Sequence, residues 1–201
     1  CVKIGDMVTM NRDCITCGDG VVGKAMDNRV GVFVMIEALR RLTSHEVDIY
    51  AVATVQEEIG LRGATAAAYN INPDISIALD TTIACDHPGP TDADSITKLG
   101  EGVGIKILDS SLISHPRLVA HMREIAEARE INHQMEILPR GGTDAGGMQR
   151  TRGGSASITL SVPTRYIHTV NEMVNRGDVE ATADLLAAYL EESHQGDYAF
   201  D

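Results

Sequence analysis

Short apolar runs rich in β-branched residues alternate along this chain with stretches whose apolar residues recur every three or four positions, and that alternation confines the fold to α/β layering. "VDIYAVATV", "DISIALD", "VGIKIL", "HQMEIL" and "SASITLSV" read as strands, the first with the length of a buried one. "VKIGDMVTM" alternates well enough to open the chain with a short strand. Val30, Phe33, Val34, Met35 and Leu39 predict a helix from Asn28 to about Leu42, and "GATAAAYN" predicts a second. A third, from His115 to Glu130, carries Leu118, Val119, Met122, Ile125 and Ala126 on one stripe, with Pro116 in its first turn. In the last, Asp178 is placed to cap, and Leu185, Leu186, Tyr189 and Leu190 form the apolar face. The expected architecture is a three-layer α/β/α sandwich with a largely parallel or mixed central sheet.

With 201 residues, 43% of them hydrophobic, the chain buries one sizeable core and falls short of two typical domains. A formal charge of -12 argues against tracking nucleic-acid phosphates, and 3% aromatics without Trp argue against stacking single strands. The longest apolar stretch, near Val30 to Ile36, is far short of the roughly 20 residues of a membrane-spanning helix. Cys1, Cys14, Cys17 and Cys85 need no disulfide framework in a chain with this much core, which fits a reducing cytoplasm. Cys14 and Cys17 form a CxxC pair, readable as half of a zinc site or as a plain hairpin turn. The first residue is Cys1 with no signal peptide before it, so the chain is expected to be cut or processed.

In α/β sheets the ligand site lies beyond the carboxyl ends of the strands, so polar residues that follow apolar runs deserve first inspection. Glu57 and Glu58 follow "YAVATVQ", Asp80 closes "ISIALD", Asp27 precedes the first long helix, and His168 follows "SVPTRYI". Carboxylates gathered in one crevice repel each other unless a cation neutralises them, so a metal site accounts for the set economically. Adjacent side chains in extended backbone point apart, which lets one glutamate bind metal while the other faces substrate. Taken singly, each has a plainer use. The Glu-Glu pair suits a solvated loop, Asp80 the cap of a turn, Asp27 the acidic start of a helix, and His168 a structural hydrogen bond. "GGTDAGG" is a Gly-rich entry to a helix: Gly142, Thr143 and Asp144 either contact substrate or form a connector in which Thr143 caps.

The stretches "VGKAMDNRVGVFVMIEALRRL", "ATVQEEIGLRGA", "IALDTT", "GGTDAG" and "RYIHT" closely resemble the tetrahedral (TET-type) dinuclear metallo-aminopeptidases, peptidase family forty-two, some of which carry an endoglucanase label. That resemblance implies a zinc-peptidase-like fold, two divalent metal ions (zinc or cobalt), and peptide substrates cleaved at their amino termini. It also implies a homo-oligomer between dimer and tetrahedral dodecamer, with no nucleic-acid or membrane partner. By the same resemblance Asp27 bridges both metals, Glu57 is the general base, Glu58 and His168 complete one metal site, and Asp80 belongs to the other. The last family ligand lies in a His-x-Asp motif that this sequence lacks. Residues 1–22 resemble the tail of a β-rich dimerisation domain, and residues 23–201 the catalytic domain without its N-terminal part.

The rival readings are weaker. A glycosidase needs carboxyl groups facing each other across roughly 5 to 9.5 Å, which suits adjacent Glu57 and Glu58 poorly. An N-terminal nucleophile at Cys1 has no other support. "GEGVG" leads into a strand and not a helix, against dinucleotide binding. A non-catalytic assembly or peptide-binding subunit of the same fold remains the alternative.

Overall fold

The computed structural model describes residues 1–91 and 94–199. Among these residues seven strands and five α-helices follow in chain order: β1 (Ile15–Cys17), β2 (Gly20–Gly23), α1 (Met26–Arg41), α2 (Arg62–Ile71), β3 (Ile75–Ile83), β4 (Val103–Asp109), α3 (Pro116–Ala128), β5 (His133–Leu138), α4 (Asp144–Gln149), β6 (Ala156–Arg165), β7 (Glu172–Asn175) and α5 (Arg176–Glu192). They form one mixed sheet in the order β1-β2-β7-β6-β4-β5, with β3 paired in parallel to β6. β6 also pairs antiparallel with β4 and β7, so this ten-residue strand is the spine of the molecule.

On one face of the sheet α1, α3 and α5 bury Val34, Leu118, Met122, Leu185 and Tyr189 against Ile105, Ile158, Leu160 and Val162. Each such aliphatic side chain removed from water contributes about 1.5–3 kcal/mol before the entropy of ordering is counted. On the other face α2 and α4 cover a far smaller apolar patch of Ala78, Leu112 and Ala145. The expected three layers are therefore present.

Several local expectations need correction. "VKIGDMVTM" forms no strand; residues 1–14 lie exposed, and the first strand is β1. The Cys14–Cys17 pair belongs to the β1–β2 hairpin, and β2 pairs with β7. "VDIYAVATV" is not a buried strand: its backbone joins no other strand among the described residues, and Tyr50, Val52 and Val55 are exposed. On α1 the buried stripe is Val30, Val34 and Ala38, whereas Phe33 and Leu39 face outward with Val32 and Ile36. This helix is apolar on two sides, and the described residues cover only one. Asp178 does not cap α5; Asn175 does, through Gly177 N–H, while the Asp178 carboxylate accepts from Gly100 and Gly102 N–H.

Candidate metal centre

Asp27 sits in the first turn of α1, where it and Asn28 depart from helical angles across a cis peptide bond. The Asn28 amide donates to Leu79 O of β3 at 2.7 Å and its oxygen accepts from Gly31 N–H, so this turn is tied to the sheet edge. Gly31 permits that approach, because a Cβ there would lie 2.6 Å from the same carbonyl. Glu57 and Glu58 occupy a tight turn between the extended segment and α2, closed by Gly60 and Leu61 N–H donating to Glu57 O. His168 lies beyond β6, where the chain reverses into β7.

These three elements bring Asp27, Glu58 and His168 together, each with one ligand atom within 4.8 Å of the others. His168 Nε2 is 3.2 Å from Asp27 Oδ2 and 3.3 Å from Glu58 Oε2. Those separations are close to the edge of a tetrahedron with bonds of about 2.1 Å, roughly 3.4 Å, and one imidazole with two carboxylates is a donor set that suits a borderline divalent ion. The group opens to solvent: His168 and Glu58 side chains are 66% and 59% exposed, Asp27 only 12%.

Asp80 stands beside this trio without joining it. It is buried, its Oδ1 accepts from Thr81 N–H, and β3 continues three residues past it, so it does not close the strand as expected. Burial, and then the Asp27 charge, hold its carboxyl well above the usual range. Burial and the Glu58 charge likewise raise Asp27. Glu57 is pushed up to about 7, first by burial and then by the charges of Asp144, Glu58 and Asp27. Asp27, Glu57 and Asp80, each pushed toward the protonated form by burial and by neighbouring negative charge, form a field that a cation relieves.

Asp144 opens α4, its Oδ2 accepting from Thr54 Oγ1 at 2.5 Å, while its buried Oδ1 has no partner among the described residues. Thr143 does not cap this helix. Its hydroxyl is buried between Asp109 Oδ2 and Thr159 Oγ1, and Gly142 packs on Ser111, so both fix the loop from beneath.

Sequence reasoning missed Glu172. Only 2% exposed, its Oε1 accepts from His168 N–H at 2.8 Å and its Oε2 from Asp27 N–H at 3.1 Å. An acid four residues after His168 in a short polar-apolar run carries no signal of that role; the antiparallel register that sets Gly23 opposite Glu172 brings it beneath Asp27.

Residues 1–185 match the family described as M42 glutamyl aminopeptidase. A lysyl aminopeptidase from Pyrococcus furiosus is 43% identical over 86% of this chain and 49% of its own length. The structure of an aminopeptidase from the archaeon Desulfurococcus kamchatkensis superposes with a TM-score of 0.93 at 41% identity, covering 95% of this chain and 54% of that one. The Pyrococcus horikoshii TET1 peptidase, which can assemble into a tetrahedron or a large octahedral shell, gives 0.76 at 32% identity over 90% of this chain and 53% of that one. The chain spans about half the length of the curated relatives it matches.

Proposed function

The chain belongs to the M42 glutamyl aminopeptidase family, and from that premise we propose that it forms part of a metal-dependent aminopeptidase that removes residues from the free amino termini of peptides. The observation that carries this reading is the convergence of Asp27, Glu58 and His168 beside a glutamate held near neutrality.

Asp27, Glu58 and His168 would hold one divalent ion, and Asp80 with Asp27 would contribute to a second, whose remaining ligand is not among the described residues. Two ions, zinc or cobalt, are part of the proposal. Bound there, the metal supplies Lewis acidity, polarising a carbonyl and lowering the pKa of a water. Glu57 takes the proton of the attacking water and passes it to the leaving amine; a value near 7 lets one carboxylate do both at neutral pH. The unpartnered Oδ1 of Asp144 receives the ammonium of the substrate's first residue, while Thr143 and Gly142 hold its loop in place.

Residues 23–201 act as the catalytic unit, with the β1–β2 hairpin leading from a preceding β-rich part. The exposed apolar faces of α1 and of residues 50–59 support packing against further polypeptide. Self-assembly into a homo-oligomer and a reducing, cytoplasmic setting complete the reading; the four cysteines are free, and no described helix is long and apolar enough to cross a membrane.

The test is metal content of the intact polypeptide, paired with release of aminoacyl chromophores before and after chelation. Two ions per chain and chelator-sensitive release, restored by cobalt or zinc, are expected. Glu57→Gln should lower kcat by about 10²–10⁴-fold. Because Glu57 works as a carboxylate and its value is raised, the rate should climb with pH on a limb near 7, displaced downward as metal loads. Absence of both metal and release overturns the proposal in favour of a non-catalytic assembly or peptide-binding subunit. Aminoacyl release that survives chelation would instead point to a metal-free peptidase, and cleavage of a glycoside that survives it to the glycosidase reading.

A further inference from the structure

We propose that Glu172 is a positioning residue for the metal centre: one buried carboxylate that fixes the backbone of two ligands drawn from opposite ends of the chain. The inference rests on the metal site proposed above and adds what holds that site in shape.

Asp27 and His168 are 141 positions apart in sequence, and neither lies on regular structure that would fix it alone. Asp27 occupies the irregular first turn of α1, and His168 has left-handed backbone, with φ 62°. A non-glycine residue in that region is strained and persists only where its surroundings over-determine it. Glu172 provides that constraint. Its two oxygens accept one N–H each, 2.8 Å from His168 and 3.1 Å from Asp27, so the spacing of one carboxylate sets the spacing of the two ligand backbones. Its own place is set by β7, paired with β2, which ends four residues before Asp27, and with β6, which ends three residues before His168. A buried anion accepting two N–H bonds is a strong, charge-assisted acceptor. No Lys, Arg or His side chain pairs with it among the described residues. Its bonding is spent on these two amides.

The chemistry of the side chain makes the role separable from simple packing. Glutamine has nearly the same shape and only one acceptor oxygen, so Glu172→Gln satisfies one N–H and turns an amide N–H₂ toward the other. Glu172→Asp keeps both acceptors and withdraws them by one methylene. Partners of this kind typically contribute 10–100-fold to metal affinity.

The test uses the intact polypeptide in two arms. In the metal-free protein, amide hydrogen exchange is read by NMR at Asp27 and His168. In parallel, Co²⁺ is titrated and followed by its visible absorption, with Asp27→Asn as the variant that removes a ligand. We expect Glu172→Gln to speed exchange at one or both amides and to weaken Co²⁺ about 10–100-fold, with wild-type exchange retained in the α5 core. Glu172→Asp should fall between. Wild-type exchange at both amides, or wild-type Co²⁺ affinity in both variants, overturns the proposal. Should Glu172→Gln unfold, Glu172→Asp decides by the same two readouts. If the wild-type chain binds no Co²⁺ while the two amides still depend on Glu172, the metal-site reading fails and with it the positioning role, leaving a brace of the fold alone.

Discussion

Along β6, Ile158, Leu160 and Val162 meet the layer of α1, α3 and α5, while Ser157, Thr159 and Ser161 meet the layer of α2 and α4. β3 alternates in the same way: Ile75, Ile77 and Leu79 join the large core, and Ser76, Asp80 and Thr82 turn to the other side. Both faces are buried, but the large apolar core lies on one, and the other holds only the small patch of Ala78, Leu112 and Ala145. The second is held by paired polar groups. Thr143 links Asp109 to Thr159, and Lys106 and Glu136, both fully buried, meet at 2.6 Å with Thr82 donating to the same Glu136 oxygen. The difference teaches a division of labour. One face supplies the free energy of folding, and the other spends part of it to carry carboxylates at the edge where the candidate centre lies.

Breaking the polar face at its charged pair should have the largest effect. Lys106→Met leaves the Glu136 carboxylate buried without its cation and is expected to cost about 3–5 kcal/mol in urea unfolding, whereas Lys106→Met with Glu136→Leu should recover most of that loss. A single variant with wild-type stability would mean that this face does not depend on paired charge. On the apolar face Leu160→Ala should cost about 2–5 kcal/mol, through lost burial and the cavity left in a close-packed layer. Ser161→Ala, one residue along and pointing the other way, sharpens the contrast. Its buried hydroxyl has no partner among the described residues, so removal should change stability by less than about 0.5 kcal/mol or raise it. Equal losses at positions 160 and 161 would erase the distinction between the faces.

How much of this was legible beforehand follows the same line. The strands at 75–83, 103–109, 133–138 and 156–165 and the stripe of α3 carry their pattern within a few residues, and each stands where the sequence predicts it. The layering and the mixed sheet follow from them. "VDIYAVATV" has equally strong strand character and forms none, because a strand needs a neighbour and the described residues provide no partner for it. Within the candidate site, Asp27, Glu58 and His168 were readable as acids and a histidine at the ends of elements, and the fold brings them together. Glu172 and Thr54 were not, since each acts through a long-range hydrogen bond that no local spacing encodes. Thr143 and Asp178 sit at true helix starts, where composition favours capping, yet tertiary partners claim both side chains.

The extended segment at 48–56 has a consequence for the chain in solution. Val55 O and Gln56 O accept from Gly63 and Arg62 N–H, while residues 48–54 join no strand among the described residues and Tyr50, Val52 and Val55 leave apolar surface beside them. Against this works the charge of -12, which keeps copies apart over a range of about 10 Å at 0.1 M salt. In dilute buffer that repulsion opposes contact between these segments and added salt weakens it, so ionic strength sets how far this exposed surface draws further copies together.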